Sequence, residues 1–421
     1  MMGEQSQSRR KHIQYFDFGI KIGPRKGREY PVIVRSPVGD VDKTMHLPFE
    51  ELVLENRLKD LRIALLSGGE HHKLSQEERT AQNLGRDLFD ALFAGQVRSL
   101  YYDSRRSAEK RKKGLRLKLN ILDHDLTLLP WEYLYDSHRH EHLCLSLHTP
   151  ILRYMELSES PEPFGVTPPL RILGMIVSPQ GQSLLDVEHE KWRLQEATKG
   201  LHNKGLIELE WLRGQTANDL RQAMKRDVWH IFHFIGYGEL CPKSEEELEK
   251  NGTEQLEQKE SFIIVSDPKG QPQSLSSIKL RSLLAEQFSL RLAFLNIYGG
   301  ANSNECELCP SIATTLVQRR IPAVLTMQHA ITDKTAIEFS QAFYEAITDG
   351  LTVDVVVTEA RKAVHLATNF AAEWGIPILY TGPNDGVLFK WQSRKKVKVL
   401  PTQVIQEAEI QPRSWQEILR G

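Results

Sequence analysis

Two glycine-rich stretches carry the residues best placed to do chemistry, HIFHFIGYGE at 230–239 and LAFLNIYGGA at 292–301. Each is an apolar run closed by glycines, the form of a strand that ends in a tight turn. Gly236, Gly238, Gly299 and Gly300 free the backbone there to turn sharply and to approach a ligand closely. The side chains on offer are phenols and imidazoles: Tyr237 and Tyr298 at the ends of the runs, His230 and His233 within the first. An imidazole beside a thiol yields a thiolate nucleophile. The thiol that follows the second run is Cys306, which forms a CxxC with Cys309. That pair lacks two further ligands, and His329 is the nearest histidine downstream, so neither a metal site nor a cofactor is expected. In a period-two strand His230 shares a side with Phe232 and Phe234, whereas His233 faces the other way. The two imidazoles are therefore not expected to act together.

The elements around these runs set the fold class. From residue 170 onward apolar strands (LRILGMIVS, LIELEWL, VWHIFHFIG, SFIIVSD, RLAFLNIYG, PAVLTM, IPILYTG) alternate with helical segments near 187, 216, 276–286, 310, 332 and 353–366. Strands this continuously apolar suit a mostly parallel sheet with helices on both faces. In open α/β sheets functional groups gather at the carboxyl ends of strands, which is where both glycine-rich runs stop. Ahead of it, YFDFGIKI, YPVIVRS and KTMHLP read as strands and 49–58 and 75–93 as helices, the second with Ala81, Leu84, Leu88 and Leu92 on one face. The expected organisation is a disordered start (1–10), a smaller α+β domain (11–157), a proline-rich linker (158–169), an α/β domain (170–390) and a flexible tail (391–421). A Glu/Lys/Gln-rich insertion at 243–260 is expected to be a solvent loop or a mobile helix.

Composition narrows the function classes. Of 421 residues 40% are apolar and 26% charged, and the formal net charge is −1. Overall charge thus provides no attraction to nucleic acid or to an anionic membrane. The most basic run, 104–114, is read as a solvated helix surface; phosphate binding through Arg105–Lys113 is the competing reading and nucleic acid is not the expected partner. No stretch reaches the ~18 apolar residues of a membrane span. The start has no apolar run behind its basic residues, and four cysteines are too few for a disulfide framework, so a cytoplasmic location is expected. No P-loop is present.

Together the two glycine-rich runs resemble the signature of the CHAT family of caspase-related cysteine peptidases, where the first turn reads HFxGHG and the second LNAC. The segment from ATTLVQRRIPAVL to VVVTEARKAV and the later WGIPILYTGPNDGVLF are similar to the rest of that domain, and LPWEYLYD and ILRYMEL resemble the region that precedes many bacterial members. The resemblance implies a caspase-like sheet. It also implies that the family's catalytic histidine falls on Tyr237 and its cysteine on Tyr298. A free phenol titrates near ~10, too high for a base or nucleophile at neutral pH. The chain is therefore expected to be a pseudoprotease with no intact catalytic residue, acting as a protein-binding scaffold or regulator. Its implied partner is an active CHAT or caspase-like protease, or a component of a bacterial antiviral or CRISPR-linked defence system. The alternative is an active cysteine peptidase that uses a displaced pair, Cys306 with His233. The SWQEILR tip is a further docking candidate.

Overall fold

The computed structural model describes residues 13–67, 76–159, 161–180, 185–242, 259–299, 305–318, 321–327, 329–368, 372–383 and 385–392. The expected disordered start, most of the polar insertion, and the tail with its SWQEILR tip lie outside the described residues.

In chain order the smaller domain comprises β1 (Tyr15–Ile22), β2 (Tyr30–Ser36), β3 (Gly39–Met45), α1 (Glu51–Ser67), α2 (Gln76–Leu92), α3 (Gln96–Lys110) and β4 (Gly114–Ile121). A four-residue α4 (His124–Thr127), a hairpin of β5 (Tyr135–Asp136) and β6 (Glu141–His142), and β7 (Ile151–Tyr154) complete it. The larger domain begins with β8 (Phe164–Val166), β9 (Leu170–Ile176), α5 (Val187–Asn203), β10 (Ile207–Trp211), α6 (Ala217–Arg226) and β11 (Ile231–Pro242). It continues through β12 (Lys259–Ser266), β13 (Pro272–Ser276), α7 (Ser277–Ala285), β14 (Leu292–Gly299) and α8 (Glu305–Val317). Last come β15 (Ala323–Met327), α9 (Asp333–Thr348), α10 (Val353–Ala367), β16 (Pro377–Thr381) and β17 (Phe389–Trp391).

Among these residues 13 strands form one sheet, ordered β10-β9-β11-β14-β15-β16-β7-β4-β1-β2-β3, with β12 and β13 attached beside β11. Most neighbours are parallel, but β16 runs antiparallel to β15 and parallel to β7. The carboxyl ends of β9, β11, β14 and β15 thus lie on one rim, and those of β16, β7, β4 and β1 on the other. The sheet of the smaller domain joins the larger one edge to edge through Tyr380↔Arg153 and Thr381↔Tyr154. One buried ion pair crosses the seam, Arg116 of β4 to Asp354 of α10 at 2.7 Å, and a second lies beside it within the smaller domain, Arg153 of β7 to Glu132 at 2.7 Å.

Alternation along the strands builds the two layers. In β11 and β14, Ile231, Leu292 and Phe294 point to a core shared with α5, α9 and α10, while Phe232, Phe234, Ala293 and Leu295 point to a second core under α6, α7 and α8. Helix starts follow their caps: Thr216, Ser276 and Thr332 each accept a backbone N–H two or three residues into the helix they open. The helix read as starting near 310 begins at Glu305 instead, with Pro310 inside it. Pro310 is the sixth residue of the helix, past the turn whose N–H groups lack partners, so it removes one i→i−4 hydrogen bond and its ring crowds the carbonyl one turn back. Part of the proline-rich linker is structured too, since β8 pairs with β17. No helix among the described residues is long and apolar enough to cross a membrane.

Candidate functional site

The site forms where β11 and β14 run side by side. Their parallel register sets Tyr237 opposite Tyr298 and His233 opposite Phe294. Both tyrosines point to the face covered by α5 and α9, at the rim where β14 ends. The rings lie 6.1 Å apart between centroids, with planes at 50°. Tyr237 is buried and Tyr298 half-buried. The first glycine run is not a turn. β11 passes through it to Pro242, and Gly238–Pro242 pair antiparallel with β12. Glycine is needed there for space: a Cβ on Gly238 would lie 2.7 Å from Leu308 Cδ2 and 2.9 Å from the Phe262 carbonyl oxygen. Residues 300–304, after the second run, lie outside the described residues.

A charged group from α5 and α9 caps Tyr298. Its hydroxyl donates to Glu190 Oε1 at 3.4 Å. Arg193 binds the same carboxylate at 2.6 Å and reaches Asp333 at 3.4 Å, and His189 Nε2 meets Asp333 at 2.8 Å. Burial, with the Glu190 charge second, pushes the Tyr298 phenol up to about 12. Burial also raises Glu190 above the usual carboxylate range, overcoming the pull of Arg193. At neutral pH the Tyr298 hydroxyl therefore keeps its proton and serves as a hydrogen-bond donor. These four residues were absent from the sequence reading. A signal existed, because Glu190 falls on the stripe Leu194, Ala197 and Leu201 that α5 buries, and Arg193 lies beside it.

His233 lies deeper on the same face. It is fully buried, its ring stacks on Phe294 at 4.3 Å, and its Nδ1 is hydrogen-bonded to the Tyr344 hydroxyl at 2.9 Å. Burial holds its pKa down to about 3. Cys306 lies in the first turn of α8, its side chain outside the described residues. Because α8 packs through Leu308, Cys309 and Ile312 on the other face, the sheet stands between that helix and His233. Cys309 is buried and donates its thiol to the Met327 carbonyl oxygen at 3.1 Å. His230 is apart from both, accepting the Arg171 backbone N–H at 2.8 Å. Among the described residues no group of three or more His, Cys, Asp and Glu side chains could hold a metal ion.

The basic run is partly spent within the fold. Arg105 is buried against Glu141 at 2.5 Å, and Arg111 and Lys113 lie over the Phe16 ring.

The core histidine provides a test. A group whose folded pKa is depressed contributes stability that is complete above its unfolded value, here 6.5, and is lost as pH falls toward about 3. His233→Asn keeps a partner for the Tyr344 hydroxyl but cannot take the proton. It should lose about 3 kcal/mol less stability than the wild type between pH 7 and pH 4. Urea midpoints at the two pH values measure this, and equal losses would show that His233 is not protonated on unfolding.

Comparison with known proteins identifies the family. The family model described as CHAT domain matches residues 82–415. The match thus begins far upstream of residue 170 and takes in part of the smaller domain. No curated protein matches. Among solved structures, separase in the Saccharomyces cerevisiae separase–securin complex aligns with 12% identity and a TM-score of 0.44 over 89% of this chain. This chain spans 30% of that one.

Proposed function

This chain belongs to the CHAT-domain family, and we propose that it has given up peptide cleavage and acts as a scaffold or regulator that holds a protein partner. The observation that carries this reading is the pair Tyr237 and Tyr298, set opposite each other near the end of the stretch over which β11 and β14 pair. By the resemblance these are the positions of the family's histidine and cysteine. A thiolate needs an imidazole to take its proton. Here two phenols meet, and burial holds the Tyr298 proton more tightly than in water. The half-buried Tyr298 meets α5 at Glu190, and the same helix carries the exposed Trp192 stacked on His189, aromatic groups with polar tips that suit protein contacts. The partner class is an active CHAT or caspase-like protease, or another protein of a bacterial defence system.

Two measurements on the full chain test the proposal. Treated with an electrophilic peptide probe, the protein should show no stoichiometric adduct by intact mass. An adduct on Cys306 that disappears in His233→Asn would instead establish the displaced pair as a working peptidase. Affinity capture from native lysate should recover a partner that Tyr298→Asp no longer binds. Unchanged recovery with that variant would remove the tyrosine cleft from the binding surface.

A further inference from the structure

On the rim opposite the tyrosines, a groove of about 870 Å³ opens between residues 156–162, the loop after α7 and the end of α8. Its floor is apolar, made by Leu157, Leu284, Leu290, Val317 and Ile321. Phe288 stands at its side, 71% exposed. The lip is acidic. Glu156, Glu159, Glu162 and Glu286 line it and are exposed. Glu156 is held by Lys21 at 2.5 Å and Glu286 lies 3.8 Å from Lys225, but Glu159 and Glu162 have no ion pair among the described residues. Among the described residues the one cation lining the groove, Arg291, spends its guanidinium on the carbonyl oxygens of Glu162, Phe288 and Leu290.

We propose that this groove is the docking site of the chain's own basic segment 394–400, RKKVKVL. The segment interleaves Arg394, Lys395, Lys396 and Lys398 with Val397, Val399 and Leu400. In extended chain Arg394, Lys396 and Lys398 would fall on one side and Val397 and Val399 on the other, matching an acidic lip over an apolar floor. The described chain also ends close by. Trp391 pairs with Val166, and the Gln392 N–H donates to the Val166 carbonyl oxygen at 2.8 Å. Glu162 lies in the same strip of chain, four residues before Val166. At ~3.3 Å per extended residue that gap is roughly 13 Å, which the first few residues of the tail can cross. The family match runs through this segment to residue 415, so the tail lies within the matched domain. The proposal does not depend on the loss of catalysis at the tyrosines, which sit on the other rim.

The test uses the full chain at low ionic strength. A carbodiimide joins a lysine to a carboxylate in direct contact, so Lys395, Lys396 or Lys398 should become cross-linked to Glu159 or Glu162. An equal mixture of ¹⁴N- and ¹⁵N-labelled chains distinguishes the sources, and docking in cis gives cross-linked peptides of a single isotope. In native protein, trypsin should cut after Lys395 and Lys396 about tenfold faster in Glu159→Lys/Glu162→Lys than in the wild type. Added salt should speed cleavage of the wild type, because the ion pairs are at the surface. Cross-linked peptides of mixed isotope, about half of the total for random pairing of an equal mixture, would assign the groove to a second copy and overturn the proposal. Absent cross-links with equal cleavage rates would overturn it too.

Discussion

Tyr298→Cys combined with Tyr237→His is expected to give a thiol at position 298 that is alkylated at pH 7 roughly 10²-fold faster than in Tyr298→Cys alone. Register is the reason. Residues 237 and 298 are direct partners on adjacent parallel strands, and both side chains leave the sheet on the same face. Such neighbours are ~4.8 Å apart, so an imidazole at 237 would stand beside the sulfur at 298. A positioned base contributes on the order of 10²–10⁴ in rate, and a neighbouring imidazolium favours the thiolate. Iodoacetamide labelling followed by peptide mapping reads the rate at position 298 separately from the native cysteines. Of those, Cys144 and Cys309 are buried, and burial pushes the Cys144 thiol up to about 12. Equal rates in the single and double variants would show that the two positions are not coupled, and would remove the basis for equating them with a catalytic pair.

Glu132→Ala should cost about 3–5 kcal/mol of stability. Glu132 and Arg153 form a two-pronged pair, Nε to Oε1 at 2.9 Å and Nη2 to Oε2 at 2.7 Å, with 1% and 3% of their surfaces exposed. Removing the carboxylate leaves a guanidinium buried beside the Tyr380 ring with only the Leu129 and Thr127 carbonyl oxygens as acceptors. Replacing both members by methionine should recover most of the loss, because it removes the charge along with its partner. Urea unfolding of the wild type and the two variants measures the series. A Glu132→Ala midpoint matching the wild type would mean that water reaches the arginine.

The same pair shows how far the sequence could be read. LPWEYLYD and ILRYMEL were recognisable as two separate segments, and the structure makes them the carboxylate and guanidinium halves of one contact. Apolar periodicity gave the strands and most helices, because each element must bury a face whatever its neighbours are. It could not give strand order. The joining of β7 to β16 depends on which edge meets which, and an alternating pattern does not record that. The glycine run at 236–238 was misread as a turn because glycine also serves where other chains crowd the backbone. The tyrosine positions were legible only through motif comparison. Their polar neighbours on α5 were hidden because charged residues within a helix usually face solvent.

The seam between β7 and β16 also bears on how this chain can be divided. A fragment that starts at residue 170 would contain every strand of the larger domain from β9 onward, yet it would lose β7, one of the two partners of β16. That strand is buried on both faces, Pro377 to Thr381 without a break. Freed of β7, it would offer open amide and carbonyl groups along an apolar border, the kind of border that recruits other chains. The smaller domain therefore does for the larger one what a cap does for a stacked repeat: it finishes the sheet, and keeps the molecule from polymerising through its own middle.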